Sequence, residues 1–150
     1  MKVTLPNHLP SLSDSSGLIT LLNGGKAQLC TAAPTLNGSG ILVPPTFSAN
    51  FPISAALTWV PGGTPITPQT NGVAAAISFV LGTPPSVAEV ITGVYLTNTG
   101  SGGVIYVAFD RPITVGAGYG YANLALRLLQ QYDVITQAFS DQSTVAFLQV

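Results

Sequence analysis

The chain has 150 residues, the size of one ordinary domain, and at that length it can hold a core without a metal or a disulfide. Charge is the anomaly: Asp, Glu, Lys and Arg make up 6% of the chain, against about 25% in an average soluble domain. Lys2, Lys26, Arg111 and Arg127 are too scattered for a nucleic-acid footprint, and no apolar run approaches the ~20 residues of a membrane helix.

Residues 1–12, with Pro6 and Pro10 and no periodicity, are expected to form an extended N-terminal arm. Asp14, Ser15 or Ser16 then caps a short helix whose apolar stripe is Leu18, Ile19, Leu21 and Leu22. Asn23-Gly24-Gly25 ends it, and so short a helix is stable only when packed on something else. From Lys26 onward the texture is that of strands. Residues 27–32 read as a short strand, and a turn-rich connection follows from Pro34 through Asn37-Gly38-Ser39-Gly40. Residues 47–51 alternate at period 2 as a half-buried strand does, and 55–60 place Leu57 and Trp59 on one face.

Residues 73–81 predict a core strand with Val73, Ala75, Ile77, Phe79 and Leu81 on a single face. Residues 89–97 and 104–109 predict an antiparallel hairpin about the loop 98–103. Strands at 113–115 and 121–129 follow, separated by Gly116-Ala117-Gly118. The tail, 131–150, suits either an arm that reaches a neighbouring subunit or a last strand built on Val145, Phe147 and Val150, which could be donated to another sheet. Short strands, Gly/Pro turns and no long helix together predict a mainly β chain. Its expected form is an antiparallel β-sandwich or jelly-roll-like domain over 13–130, with one short N-terminal helix and terminal arms at 1–12 and 131–150.

Residues capable of chemistry are few and dispersed. The one histidine, His8, lies in the proline-bounded arm, and no Gly-x-Ser-x-Gly elbow accompanies it. Asp14, Glu89, Asp110, Asp133 and Asp141 are far apart in sequence; only Glu89 and Asp110, on hairpin partners, could be brought together as a glycosidase pair, and solvated strand ends are the simpler reading. Cys30 sits in an apolar stretch and is expected to be a buried small hydrophobe. Gly116-Ala117-Gly118-Tyr119-Gly120 lacks the lysine and the βαβ setting of a phosphate loop. Asn37-Gly38-Ser39 matches the glycosylation sequon, but no basic and apolar leader is seen, so the match reads as chance. Asp110-Arg111-Pro112 concentrates two of the few charges at a strand junction. Tyr95, Tyr106, Tyr119, Tyr121 and Trp59 could stack on sugars, although alternating strand aromatics more often belong to a core or an interface. The expectation is therefore a non-enzyme with no catalytic, cofactor-binding or metal-binding residue.

The order of motifs resembles that of small bacteriophage virion structural proteins. Leu5-Pro6-Asn7 opens it, Leu18-Ile19-Thr20-Leu21-Leu22 supplies an apolar helix, and Leu29-Cys30-Thr31-Ala32-Ala33-Pro34-Thr35 matches a strand entering a turn. An aromatic strand at 47–51, Leu57-Thr58-Trp59, Ile91-Thr92-Gly93-Val94-Tyr95 with its partner 104–109, Pro112-Ile113-Thr114-Val115 and 121–129 complete the series. Ala32 stands where the pattern has a polar Asn, and the turn lacks an acidic residue. The likeness implies a structural part of the particle, either a capsid cement or decoration protein, or a tail or fibre component. In the first case the implied partners are the major capsid protein and copies of the chain itself, with a trimer favoured. The implied location is the capsid surface of the virion, after synthesis in the host cytoplasm, with neither nucleic acid nor membrane as partner. A carbohydrate-binding module is the alternative from another class.

Overall fold

The computed structural model describes the backbone of residues 2–4, 20–61, 70–80, 85–100, 102–117, 121–133, 138–141 and 144–149, and the side chains of 20–59, 77–80, 85–100 and 102–117. The strands among the described residues alone take up 46% of the chain, about twice the usual share, so the protein is mainly β. In chain order they are β1 (Lys2–Thr4), β2 (Ala27–Cys30), β3 (Thr35–Leu36), β4 (Leu42–Val43), β5 (Val60–Pro61), β6 (Thr70–Val80), β7 (Glu89–Thr97), β8 (Gly103–Val115), β9 (Tyr121–Asp133), β10 (Ala138–Asp141) and β11 (Thr144–Gln149). Every ladder between them is antiparallel. One sheet has the order β1-β8-β7-β2. A second runs β5-β6-β9, and the far edge of β9 is shared end to end by β11 and β10. β3 and β4 form a small hairpin of their own.

Alternation in β2, β7 and β8 sends Leu29, Val94, Leu96, Ile105 and Val107 into one core, where they meet Leu22, Phe51 and Trp59. Ile77 and Phe79 of β6 join the same core, while Ser78 and Val80 between and beside them are exposed. Residues of the first sheet and of the second thus share one apolar interior. Each such Leu, Ile, Val or Phe contributes roughly 1.5–3 kcal/mol on burial.

The expected hairpin at 89–97 and 104–109 is present as β7 and β8, and its loop closes through Asn98, whose N–H donates to the Gly102 carbonyl (2.9 Å) while its Oδ1 accepts from the Gly102 N–H (2.9 Å). The strands expected separately at 104–109 and 113–115 are one strand. Gly93 pairs with Ala108 and Ile91 with Ile113, which leaves Thr92 facing residues 109–112. Pro112 sits in this bulge, where a missing N–H breaks no ladder bond. The strand expected at 121–129 extends to Asp133, and the turn at 116–117 has positive φ at both Gly116 (80°) and Ala117 (47°).

Two expected strands are corrected. Residues 47–51 make a single bridge, Cys30 to Phe47, and 55–59 form no ladder; only Val60 enters a strand, in β5. Both segments instead run beside the outer edge of β2. Thr31 N–H donates to the Thr46 carbonyl (3.0 Å), Ser48 N–H to that of Leu29 (2.8 Å), Ser54 N–H to that of Ala27 (2.9 Å) and Leu57 N–H to that of Gly25 (2.8 Å). Pro52 and the side-chain bonds of Ser48 interrupt any regular pairing there. The connection expected after Pro34 contains the β3–β4 hairpin.

Of the expected helix, 20–22 are helical; its start and cap lie outside the described residues. Gly24, at φ 76°, follows it. Within the segment expected to be an N-terminal arm, β1 pairs with 106–108 of β8. Residues 131–150, expected to be an arm or a donated strand, include β10 and β11, and both pair with β9 of their own chain. Among the described residues no helix is long and apolar enough to cross a membrane.

Candidate functional site

Three places gather polar, titratable or exposed apolar side chains. The first lies beneath the β3–β4 hairpin, on the face of the first sheet opposite the main core. Cys30, Leu42, Tyr95 and Tyr106 form a second buried cluster there, with Phe47 and Ala108 packed against it. Cys30 opposes Gly93 across the β2–β7 ladder, and Tyr95 opposes Tyr106 across β7–β8. The rings of Phe47 and Tyr95 meet edge to face, with centroids 5.6 Å apart. Tyr106 Oη donates to Thr92 Oγ1 (3.1 Å), and Thr92 Oγ1 donates to the Cys30 carbonyl (3.1 Å), so one relay joins β8, β7 and β2. Tyr95 Oη is buried and has no hydrogen-bond partner among the described residues.

Burial pushes the Cys30 thiol up to about 12, with a main-chain hydrogen bond from Tyr95 pulling weakly the other way. At neutral pH it is therefore a protonated thiol, which is not a nucleophile. Tyr95 and Tyr106 are also raised, by burial first.

The second place is the Glu89 carboxylate at the start of β7. It accepts from Ser48 Oγ (2.5 Å), the Ala49 N–H (3.0 Å) and Asn50 Nδ2 (3.1 Å). Ser48 Oγ in turn accepts from the N–H groups of Asn50 (3.2 Å) and Phe51 (3.1 Å). This clamp has no counterpart in the expectations from sequence. Residues 47–51 read as a strand from sequence, and nothing local names a carboxylate 41 residues from Ser48 as its partner. With three donors on it, Glu89 acts as an anchor for the 48–50 turn. It faces Val115 in register, five residues along β8 from Asp110, so the suggested carboxylate pair is not brought together by the ladder.

The third place is apolar. Leu36, Ile41 and Val43, all on or beside the β3–β4 hairpin, are 41–49% exposed; Ile53, Val80, Val87 and Val90 are also exposed. Asp110, Arg111 and Pro112 are exposed in the β8 bulge. Trp59, Tyr95 and Tyr106 are buried and present no stacking face, whereas Tyr119, and the side chain of Tyr121, lie outside the described residues. His8 and Asp14 lie outside them as well; Asp133 ends β9 and Asp141 ends β10, with no side-chain description. Among the described residues no three of His, Cys, Asp and Glu come together to hold a metal.

The chain matches no protein family, no curated protein and no solved structure. The reading of its function therefore rests on its own sequence and geometry.

Proposed function

We propose that this chain is a structural subunit of a bacteriophage particle, and in the first place a capsid cement protein that binds the major capsid protein and copies of itself. The observation that carries the reading is a nearly uncharged sequence on a β scaffold that leaves large apolar side chains in water. Leu36, Ile41 and Val43 sit together on one hairpin, within a 62-residue stretch, 27–88, that has no charged side chain. Single exposed apolar residues are ordinary, but several on one small hairpin are better covered than solvated. A subunit fixed in a lattice covers them permanently. The motif order over 5–129 supports the same class.

In this reading the two larger sheets face one another as an antiparallel sandwich of jelly-roll type. The shared core of Ile77 and Phe79 with Leu29, Val94 and Val107 supports that arrangement. The reading gives the protein no catalytic, cofactor or metal role, and places it on the capsid surface with neither nucleic acid nor membrane as partner. Sugar binding is less well supported, because three of its five candidate stacking aromatics are buried.

The test is the copy number of this polypeptide in purified particles, by quantitative mass spectrometry against the major capsid protein. A copy number comparable to that of the shell protein is expected. A small fraction of it would overturn the cement assignment in favour of a tail or fibre part, and complete absence from particles would overturn the structural reading.

A further inference from the structure

The sequence contains three Asn-Gly pairs, Asn23-Gly24, Asn37-Gly38 and Asn71-Gly72. Asn-Gly is the dipeptide in which a side-chain carboxamide is most open to attack by the next main-chain nitrogen, since glycine has no Cβ to obstruct the ring that forms. The fold treats the three pairs very differently.

Asn37-Gly38 caps the β3–β4 hairpin, and both residues are exposed. Asn37 Oδ1 accepts from the N–H of Ser39 (2.9 Å) and from the N–H of Ile41 (3.0 Å). Accepting across Gly38 holds the carboxamide folded over the Asn37–Gly38 peptide. Two main-chain donors at this distance from one oxygen also form the arrangement that stabilises negative charge on a carbonyl under attack. A Cβ at Gly38 would meet nothing within 4 Å, so there is room for the chain to close on itself.

At Asn23-Gly24 the geometry is the reverse. Gly24 N–H already donates to the Leu57 carbonyl (2.9 Å), so the attacking nitrogen is engaged, and a Cβ at Gly24 would lie 2.7 Å from Thr99 Cγ2. Asn71 and Gly72 lie inside β6, in register with Tyr132 and Gln131 of β9, where the ladder keeps the backbone extended.

We propose that Asn37 is a site of spontaneous, structure-assisted deamidation in the folded protein. The main-chain nitrogen of Gly38 loses its proton and attacks Asn37 Cγ; the new N–Cγ bond forms as the Cγ–Nδ2 bond breaks, and ammonia leaves carrying that proton. Water then opens the cyclic imide. Cleavage of the N–Cγ bond gives an aspartyl residue at position 37, and cleavage of the bond between the position-37 carbonyl carbon and the Gly38 nitrogen gives an isoaspartyl residue. No redox partner is needed. The product adds one carboxylate to the charge-free stretch and takes the formal net charge from −1 to −2.

The test incubates the folded, full-length protein at mildly alkaline pH and maps peptides by mass spectrometry, following the replacement of NH2 by OH. Conversion at position 37 is expected to outpace conversion at 23 and 71 by about tenfold or more. In denaturant the three pairs are expected to convert at similar rates, because their immediate sequence is then all that differs. Asn37→Gln should abolish the new acidic isoform of the folded protein, and Gly38→Ala should slow it while leaving the fold intact, as the open space at Gly38 allows. Conversion at 37 no faster than at 23 or 71 in the folded protein would overturn the proposal. So would a folded rate at 37 below the rate in denaturant.

Discussion

Tyr95 and Tyr106 stand opposite one another across β7 and β8, yet their hydroxyls have different circumstances. Tyr106 Oη begins the relay through Thr92 to the Cys30 carbonyl, whereas Tyr95 Oη, buried beside Gly103, has no partner among the described residues. A satisfied buried hydroxyl contributes about 1 kcal/mol net, and an unsatisfied one costs about 1–3 kcal/mol of desolvation. Tyr106→Phe is therefore expected to destabilise by about 1–2 kcal/mol, and Tyr95→Phe to be neutral or stabilising. Urea unfolding with unchanged m-values would show it. An equal loss in both variants would mean that the Tyr95 hydroxyl is bonded after all. The relay also accounts for Gly93: a Cβ there would lie 2.4 Å from the Val107 carbonyl oxygen and 2.7 Å from Tyr106 Oη. The sequence shows that glycine inside a strand pattern but not what approaches it, because the approaching atoms come from β8.

At the scale of elements, the edge of β2 explains both what was legible in the sequence and what was not. Residues 89–97 are readable as a strand because their apolar positions repeat and the strand is paired on both edges, by β2 and by β8. Residues 47–51 carry the same period-2 signal, yet Ser48 and Asn50 spend their side chains on Glu89, and Pro52 ends any ladder. Period 2 reports which side chains alternate, not whether the backbone has a partner at every step. In β8 the opposite happened: Pro112 suggested a break, and a bulge opposite Thr92 absorbed it. The Cys30 cluster and the Glu89 clamp were illegible for one reason, since each joins segments separated by dozens of residues. If the 46–57 segment protects the β2 edge, its anchors should matter locally. Ser54 Oγ accepts from the Ala27 N–H (2.8 Å). Ser54→Ala and Glu89→Ala are each expected to cost about 1–3 kcal/mol. Hydrogen exchange should quicken first at the amides of Ala27 and Ala49 respectively. Uniform acceleration across β7 and β8 would show instead that the segment unfolds only with the whole core.

For the molecule as a whole, the scarcity of charge sets how copies meet each other and their partners. Four Lys and Arg against five Asp and Glu leave a formal net charge of −1, too little for self-repulsion to keep free copies apart. Association through charged patches weakens as salt shortens the screening length from about 30 Å at 0.01 M to about 3 Å at 1 M. Association through apolar side chains such as Leu36, Ile41 and Val43 does not, and excluded salts such as sulfate strengthen it. The purified protein is therefore expected to self-associate with rising concentration, with a dissociation constant that changes little with sodium chloride over that range and falls in sulfate. Sedimentation velocity at a series of concentrations measures this directly. Replacing Ile41 and Val43 by Lys should weaken association while leaving the unfolding midpoint nearly unchanged, because both side chains already stand in water. An affinity that collapses between low and high sodium chloride would place the contact on the few charged groups, with Asp110 and Arg111 in the β8 bulge the first to substitute, and would take the apolar hairpin out of the assembly surface.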